Sequence, residues 1–138
     1  MAFIPRDHDL GKEMRIPAKA SITFVKGNAL QDDTAGYITN SASGDNGDVK
    51  FVCLEGVVSN GTDGVTLLNV LRTDGVLFEA DTSNTPTQTQ VGTDVDLSAA
   101  GTLDTSATTD QVFHVLKVIL PLSGKKVLGY FNQGVPNS

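Results

Sequence analysis

Gln111-Val112-Phe113-His114-Val115-Leu116-Lys117-Val118-Ile119-Leu120 is the stretch that decides the fold. It is rich in β-branched and aromatic residues and alternates at its centre, which is the signature of a β-strand. Successive side chains of a strand point to opposite faces. With Phe113 and Val115 turned inward, His114 turns to solvent or to a neighbour. Lys126-Val127-Leu128-Gly129-Tyr130-Phe131 follows as a closing strand, with Ser123-Gly124-Lys125 as the turn between them.

The same texture extends back to Ser21. Ser21 to Lys26, Gly36 to Asn40, Val49 to Val58, Val65 to Arg72, Val76 to Ala80 and Val91 to Leu97 are short β-like runs. Polar, glycine-rich loops at 41–48 and 59–64 separate them, and a long polar crossover spans 82–90. Thr73-Asp74-Gly75 carries an Asp-Gly turn signal. Leu97-Ser98-Ala99-Ala100 has room for one helical turn at most. Many short strands at such spacings predict an all-β fold, a small barrel or sandwich of short antiparallel strands. No internal repeat is present.

Residues 1–20 read differently. Pro5, Gly11 and Pro17 interrupt any regular element, while Met1, Phe3, Ile4, Leu10, Met14 and Ile16 are too apolar for a solvated tail. The expectation is an extended N-terminal arm over 1–20 and a single β domain over 21–138, with the arm dispensable for folding. An arm of this kind gains most by laying its apolar residues against a neighbour. The candidate partner-binding residues are therefore Phe3, Ile4, Arg6, Leu10, Met14, Arg15 and Ile16.

Composition narrows the function classes. The chain has 138 residues, enough for one modest core, and a net charge of −6. The first 26 residues carry five bases against three acids, and the rest carry 13 acids against five bases. An acidic body repels phosphate, so a nucleic-acid partner is not expected. No apolar run approaches the ~20 residues of a membrane helix, and the start lacks the layout of a secretory signal. Synthesis in a cytoplasm and no membrane partner are the expectations. Cys53, the single cysteine, lies in an apolar run and reads as a small buried hydrophobe.

Catalytic and metal chemistry find little support in the residues. His8 sits between Asp7 and Asp9, a ligand-like triplet in an irregular segment without fixed geometry. His114 lacks a nucleophile frame such as Gly-x-Ser-x-Gly. The acid pairs Asp32-Asp33, Asp45/Asp48, Asp94/Asp96 and Asp104/Asp110 do not form a calcium-loop pattern. Asp94 and Asp96 share one strand face, which leaves a cation site or a carboxylate pair open there. No phosphate-cradling glycine loop exists. The expectation is a protein that is not an enzyme, with no cofactor, no metal and no catalytic residues. A small hydrolase built on Asp94, Asp96 or His114 is the contrary reading.

Four segments resemble small capsid decoration, or cement, proteins of tailed bacteriophages. They are Ile22-Thr23-Phe24-Val25-Lys26-Gly27-Asn28-Ala29-Leu30, Thr73 to Ala80, Val91 to Leu97 with Gly101-Thr102-Leu103-Asp104, and Lys126 to Phe131. Together they span about residues 21–132. The resemblance implies a structural protein of the virion that binds the outer surface of a capsid without catalysis and links capsomers. It implies the major capsid protein as partner and a homo-oligomer, a trimer by preference. The alternative is a receptor- or carbohydrate-binding β-module of a virion fibre or spike, using the loops at 41–48 and 82–90.

Overall fold

A computed structural model of the chain describes residues 2–7, 12–33, 35–42 and 49–132. The decisive stretch forms β12 (Phe113–Val118), numbered in chain order, and the closing run forms β13 (Lys126–Phe131); the two pair as an antiparallel hairpin. Phe113 and Val115 are fully buried and His114 between them is partly exposed, as the alternation predicts. Around this hairpin a six-stranded sheet assembles. Its order is β1 (Phe3–Asp7), β9 (Leu77–Asp81), β13, β12, β10 (Asp94–Ala99) and β11 (Thr102–Asp104). A five-stranded sheet has the order β2 (Glu13–Pro17), β8 (Leu67–Arg72), β6 (Phe51–Cys53), β4 (Ala29–Asp32) and β5 (Ile38–Asn40). β3 (Thr23–Phe24) and β7 (Val57–Val58) form a two-stranded ribbon.

The fold is all-β and antiparallel, with no closed barrel and no α-helix among the described residues. No helix there is long and apolar enough to cross a membrane. The period-2 pattern sorts residues of the five-stranded sheet into two cores. Ala29, Val52 and Leu71 join Phe78, Val95, Phe113, Val115, Val127 and Phe131 in the larger core, between the two big sheets. Leu30, Cys53, Leu68 and Val70 face the other way and pack with Phe24 and Ile38. The architecture is thus a sandwich whose five-stranded layer contributes core residues from both faces, backed by the ribbon.

The segment expected to be a separate arm is built into this sandwich. β1 pairs with β9, and β2 pairs with β8. Phe3 is fully buried. Its ring lies 4.8 Å from Phe131 and 6.1 Å from Phe113, inside a cluster that also holds Phe78. Burying such a side chain stabilises by roughly 1.5–3 kcal/mol. Deleting residues 1–16 would remove β1, most of β2 and the Phe3 ring from the core, and is expected to destabilise the fold. The prolines that suggested an irregular arm sit on edge strands, where a missing N–H costs no ladder bond.

Two further segments differ from expectation. The run from Val49 to Val58 is not one strand. It breaks after Cys53, because Glu55 turns in to accept hydrogen bonds from the N–H of Asn69 (3.1 Å) and its side-chain amide (3.0 Å), and the chain leaves as β7 for the ribbon. The Thr73-Asp74-Gly75 turn forms, with Gly75 at a φ of +72°, yet it does not close a hairpin. It carries the chain from the five-stranded sheet to the six-stranded one. Gly129, by contrast, is needed for lack of a side chain. A Cβ there would lie 1.9 Å from the carbonyl oxygen of His114 and 2.6 Å from the Phe113 ring. The close approach of β12 and β13 at this point adjoins the bulge between Val115 and Lys117.

Candidate protein-binding face

The outer face of the six-stranded sheet collects side chains that the inner core does not take. The ladders place them in rungs across the strands. Asp94 lies opposite His114, and His114 opposite Tyr130. Lys117 lies opposite Leu128, Leu128 opposite Glu79, and Glu79 opposite Ile4. Lys126 lies opposite Asp81.

The first rung is polar and aromatic. His114 Nδ1–H donates to Asp94 Oδ1 at 2.9 Å, since a carboxylate can only accept. The same oxygen accepts from the Asn132 side-chain amide at 3.0 Å, which also donates to the Gln111 carbonyl at 2.8 Å. The His114 ring stacks on Tyr130 with centroids 5.0 Å apart and planes 26° from parallel. An orienting acid and an imidazole are thus present together. Among the described residues, no hydrogen bond joins His114 to a serine, threonine or cysteine nucleophile.

Asp96 does not share this site. It is buried, and its carboxylate accepts the N–H groups of Thr109 (3.0 Å), Asp110 (2.8 Å) and Gln111 (2.8 Å). Strand alternation puts it on the side of Asp94, but the loop at 105–111 folds over it and takes its oxygens. The cation or paired-carboxylate reading of Asp94 and Asp96 loses one partner to this loop. The other acid pairs are likewise engaged in turns or fall elsewhere. Asp33 accepts the N–H of Ala35 (2.8 Å) and Tyr37 (2.9 Å). Asp104 accepts the N–H (3.0 Å) and hydroxyl (2.7 Å) of Ser106. Asp45 and Asp48 lie outside the described residues, as does His8. No group of three or more His, Cys, Asp or Glu fit to hold a metal occurs among the described residues.

The second and third rungs form an apolar centre with a charged rim. Leu77, Leu120, Leu128, Arg6, Glu79 and Lys117 line a depression of about 540 Å³. Leu77 also lines a neighbouring depression of about 420 Å³ with Tyr130 and Asn132. Leu120 is 76% exposed, and Leu116, on the β12 bulge, is exposed as well. Arg6 pairs with Glu79. Lys126 reaches Asp81 at 2.5 Å and Glu79 at 3.9 Å. The hydrogen bond to Asp81 raises the Lys126 pKa. Apolar side chains held in the open beside ordered charges are the makings of a protein contact.

The residues picked from the sequence are scattered by the fold. Phe3 is in the larger core and Ile16 packs against the smaller one, so neither is free to touch a partner. Ile4 and Arg6 sit on the outer face just described. Met14 and Arg15 are exposed on β2, in the other sheet. Leu10 lies outside the described residues. The overlooked residues are Leu77, Leu116, Leu120, Leu128 and Tyr130. The signal was present in the decisive stretch itself, where Leu116 and Leu120 continue the apolar run onto the outward side. Cys53 is buried, and burial pushes its thiol pKa up, away from reactivity. Comparison with protein-family models, with curated protein sequences and with solved structures finds no match.

Proposed function

We propose that the chain is a structural protein of a phage virion, docking through the outer face of its six-stranded sheet onto the major capsid protein and linking capsomers, without catalysis. The observation that carries the docking is the apolar centre of exposed Leu116 and Leu120 with half-buried Leu77 and Leu128, within a rim of Arg6, Glu79, Lys117 and Lys126. The capsid as partner rests on the resemblance of the four segments named above. A sheet buried on one face and left partly apolar on the other suits a module that is finished only on its partner. Co-sedimentation with purified capsids tests the reading. The chain should pellet with the shells, and Leu120→Asp should weaken binding by roughly tenfold or more while the fold, read by circular dichroism, is unchanged. A chain that stays in the supernatant, or a Leu120→Asp variant that pellets as well as the parent, sinks the proposal.

The receptor- or carbohydrate-binding alternative draws on one observation, the Tyr130 ring stacked on His114 and lining a depression with Asn132. The loop at 82–90 favours it less. Thr82 and Asn84 tie it to itself and to Thr105. Glycan-array binding that is lost in Tyr130→Ala would select this alternative.

A further inference from the structure

The edge strand β2 carries a second surface, independent of the docking face, with a definite backbone phase. Met14 lies opposite Val70 and Ile16 opposite Leu68; in the same register Ala18 N–H donates to the Thr66 carbonyl at 2.9 Å. Asn69 of β8 turns its backbone away from β2. Its carbonyl accepts from Leu54 N–H at 3.0 Å, and its N–H donates to Glu55 at 3.1 Å. Hydrogen-bonded and non-hydrogen-bonded pairs alternate along an antiparallel ladder. Met14 and Ile16 are therefore the residues that bond to β8. Glu13 and Arg15 direct both N–H and C=O out of the sheet, and no partner for these groups is found among the described residues.

Edges of this kind are usually blunted. β1 carries Pro5 and a register break, and β5 and β11 have three residues each. β2 has five residues, four of them exposed, and its only proline is the last; β5 covers the edge only beyond it, where Ala18 bridges Ile38 and Lys19 N–H donates to the Ile38 carbonyl at 2.9 Å. Its sequence is also self-complementary. In an antiparallel pairing centred on Met14, Glu13 falls opposite Arg15 of the partner subunit, on both sides of the axis. Centring on Glu13 or on Arg15 instead sets like charges opposite each other, which is unfavourable.

We propose that β2 pairs with β2 of a second copy of this chain about a two-fold axis at Met14. The outward N–H and C=O groups of Glu13 and Arg15 then exchange four backbone hydrogen bonds with Arg15 and Glu13 of the partner subunit. Two ion pairs form on one face of the joined sheet. On the other face Met14, 43% exposed in the single chain, meets Met14 of the partner subunit. The two five-stranded sheets become one continuous sheet, an isologous contact of the commonest kind.

Sedimentation equilibrium of the full chain tests this. The parent should run at twice its 14.5 kDa mass. Arg15→Glu and Glu13→Arg should each raise the dissociation constant roughly 10- to 100-fold, because each turns both attractive pairs repulsive. Mixing the two variants should restore a dimer, since the opposite charges then meet across the axis. Both side chains are exposed, so the single variants should keep the parent's circular-dichroism spectrum and melt lower only by as much as the lost association stabilised the parent. The mixture guards against a variant that misfolds. A monomeric parent overturns the proposal. So does a trimer or dimer that neither reversal perturbs, or a mixture that fails to reassociate.

Discussion

Asp96 shows how one side chain can be read as a ligand from the sequence and act as a brace in the fold. Its carboxylate gathers three consecutive backbone N–H groups, and its own N–H donates to the Ala107 carbonyl at 2.9 Å. Among these residues Gln111 holds a φ of +56°, which is costly for a residue with a side chain. The brace keeps the backbone in that conformation just before β12 begins. Removing it leaves three part-buried donors without their acceptor, so Asp96→Ala should destabilise the protein by about 2 kcal/mol. Asp96→Asn should cost less, because its remaining oxygen still accepts the amides of Asp110 and Gln111. Urea denaturation measures the loss, and amide hydrogen exchange at 109–111 should speed up in the same order. Equal stability of the alanine variant and the parent would show that the loop is held by other means.

Among the elements, the turn between β4 and β5 carries a pH-dependent part of the stability. The Tyr37 N–H lowers the Asp33 pKa most; desolvation opposes it, and the Ala35 N–H and the Lys19 charge lower it further. At the turn after β8, desolvation pushes the Asp74 carboxyl up, but the Lys12 hydrogen bond and the Arg72 charge together bring it below its ordinary value. A carboxyl depressed in the folded state adds stability at pH values above its unfolded pKa of about 3.9. That stability is lost as pH falls from there through the lower folded value. Melting temperature should therefore drop across this acid range, and Asp33→Asn should flatten the drop; an unchanged acid slope in that variant would exclude the turn as its source. The elements also differ in how readable they were. β12 and β13 announce themselves because alternation and β-branching coincide there. β1 and β2 read as an arm because Pro5 and Pro17 are strand breakers everywhere except at a sheet edge, and edge position is a tertiary fact. β4 is four residues long behind a Gly-Asn turn, too short for a period to register. The same cause draws the expected binding surface to the arm: apolar residues in a segment without period look unburied, whereas Phe3 is core.

At the scale of the whole molecule, the question is whether two cores make one cooperative unit. The five-stranded sheet contributes alternate residues to both, so Leu71 and Val70, adjacent in β8, stabilise opposite sides. The larger core cannot be lost without releasing one face of that sheet, and the smaller core then stands on a layer with nothing behind it. Small single domains of this size usually unfold in one step, and the shared layer gives this chain a structural reason to do so. Phe3 and Cys53 allow a direct test, since Phe3 belongs to the larger core and Cys53 to the smaller. Phe3→Ala should cost about 3 kcal/mol, the low end for a buried phenylalanine because its edge strand can relax. Cys53 is shielded in the folded state, and its Sγ–H donates to the Glu55 carbonyl at 2.8 Å. Its labelling by a thiol reagent therefore reports opening of the smaller core. In a urea series the Phe3→Ala variant should shift the Cys53 labelling midpoint by the same amount as the circular-dichroism midpoint. Labelling that stays at the parent's midpoint while part of the β signal melts early would mean that the ribbon-side core stands alone, with the five-stranded sheet as its base rather than as the shared wall of both.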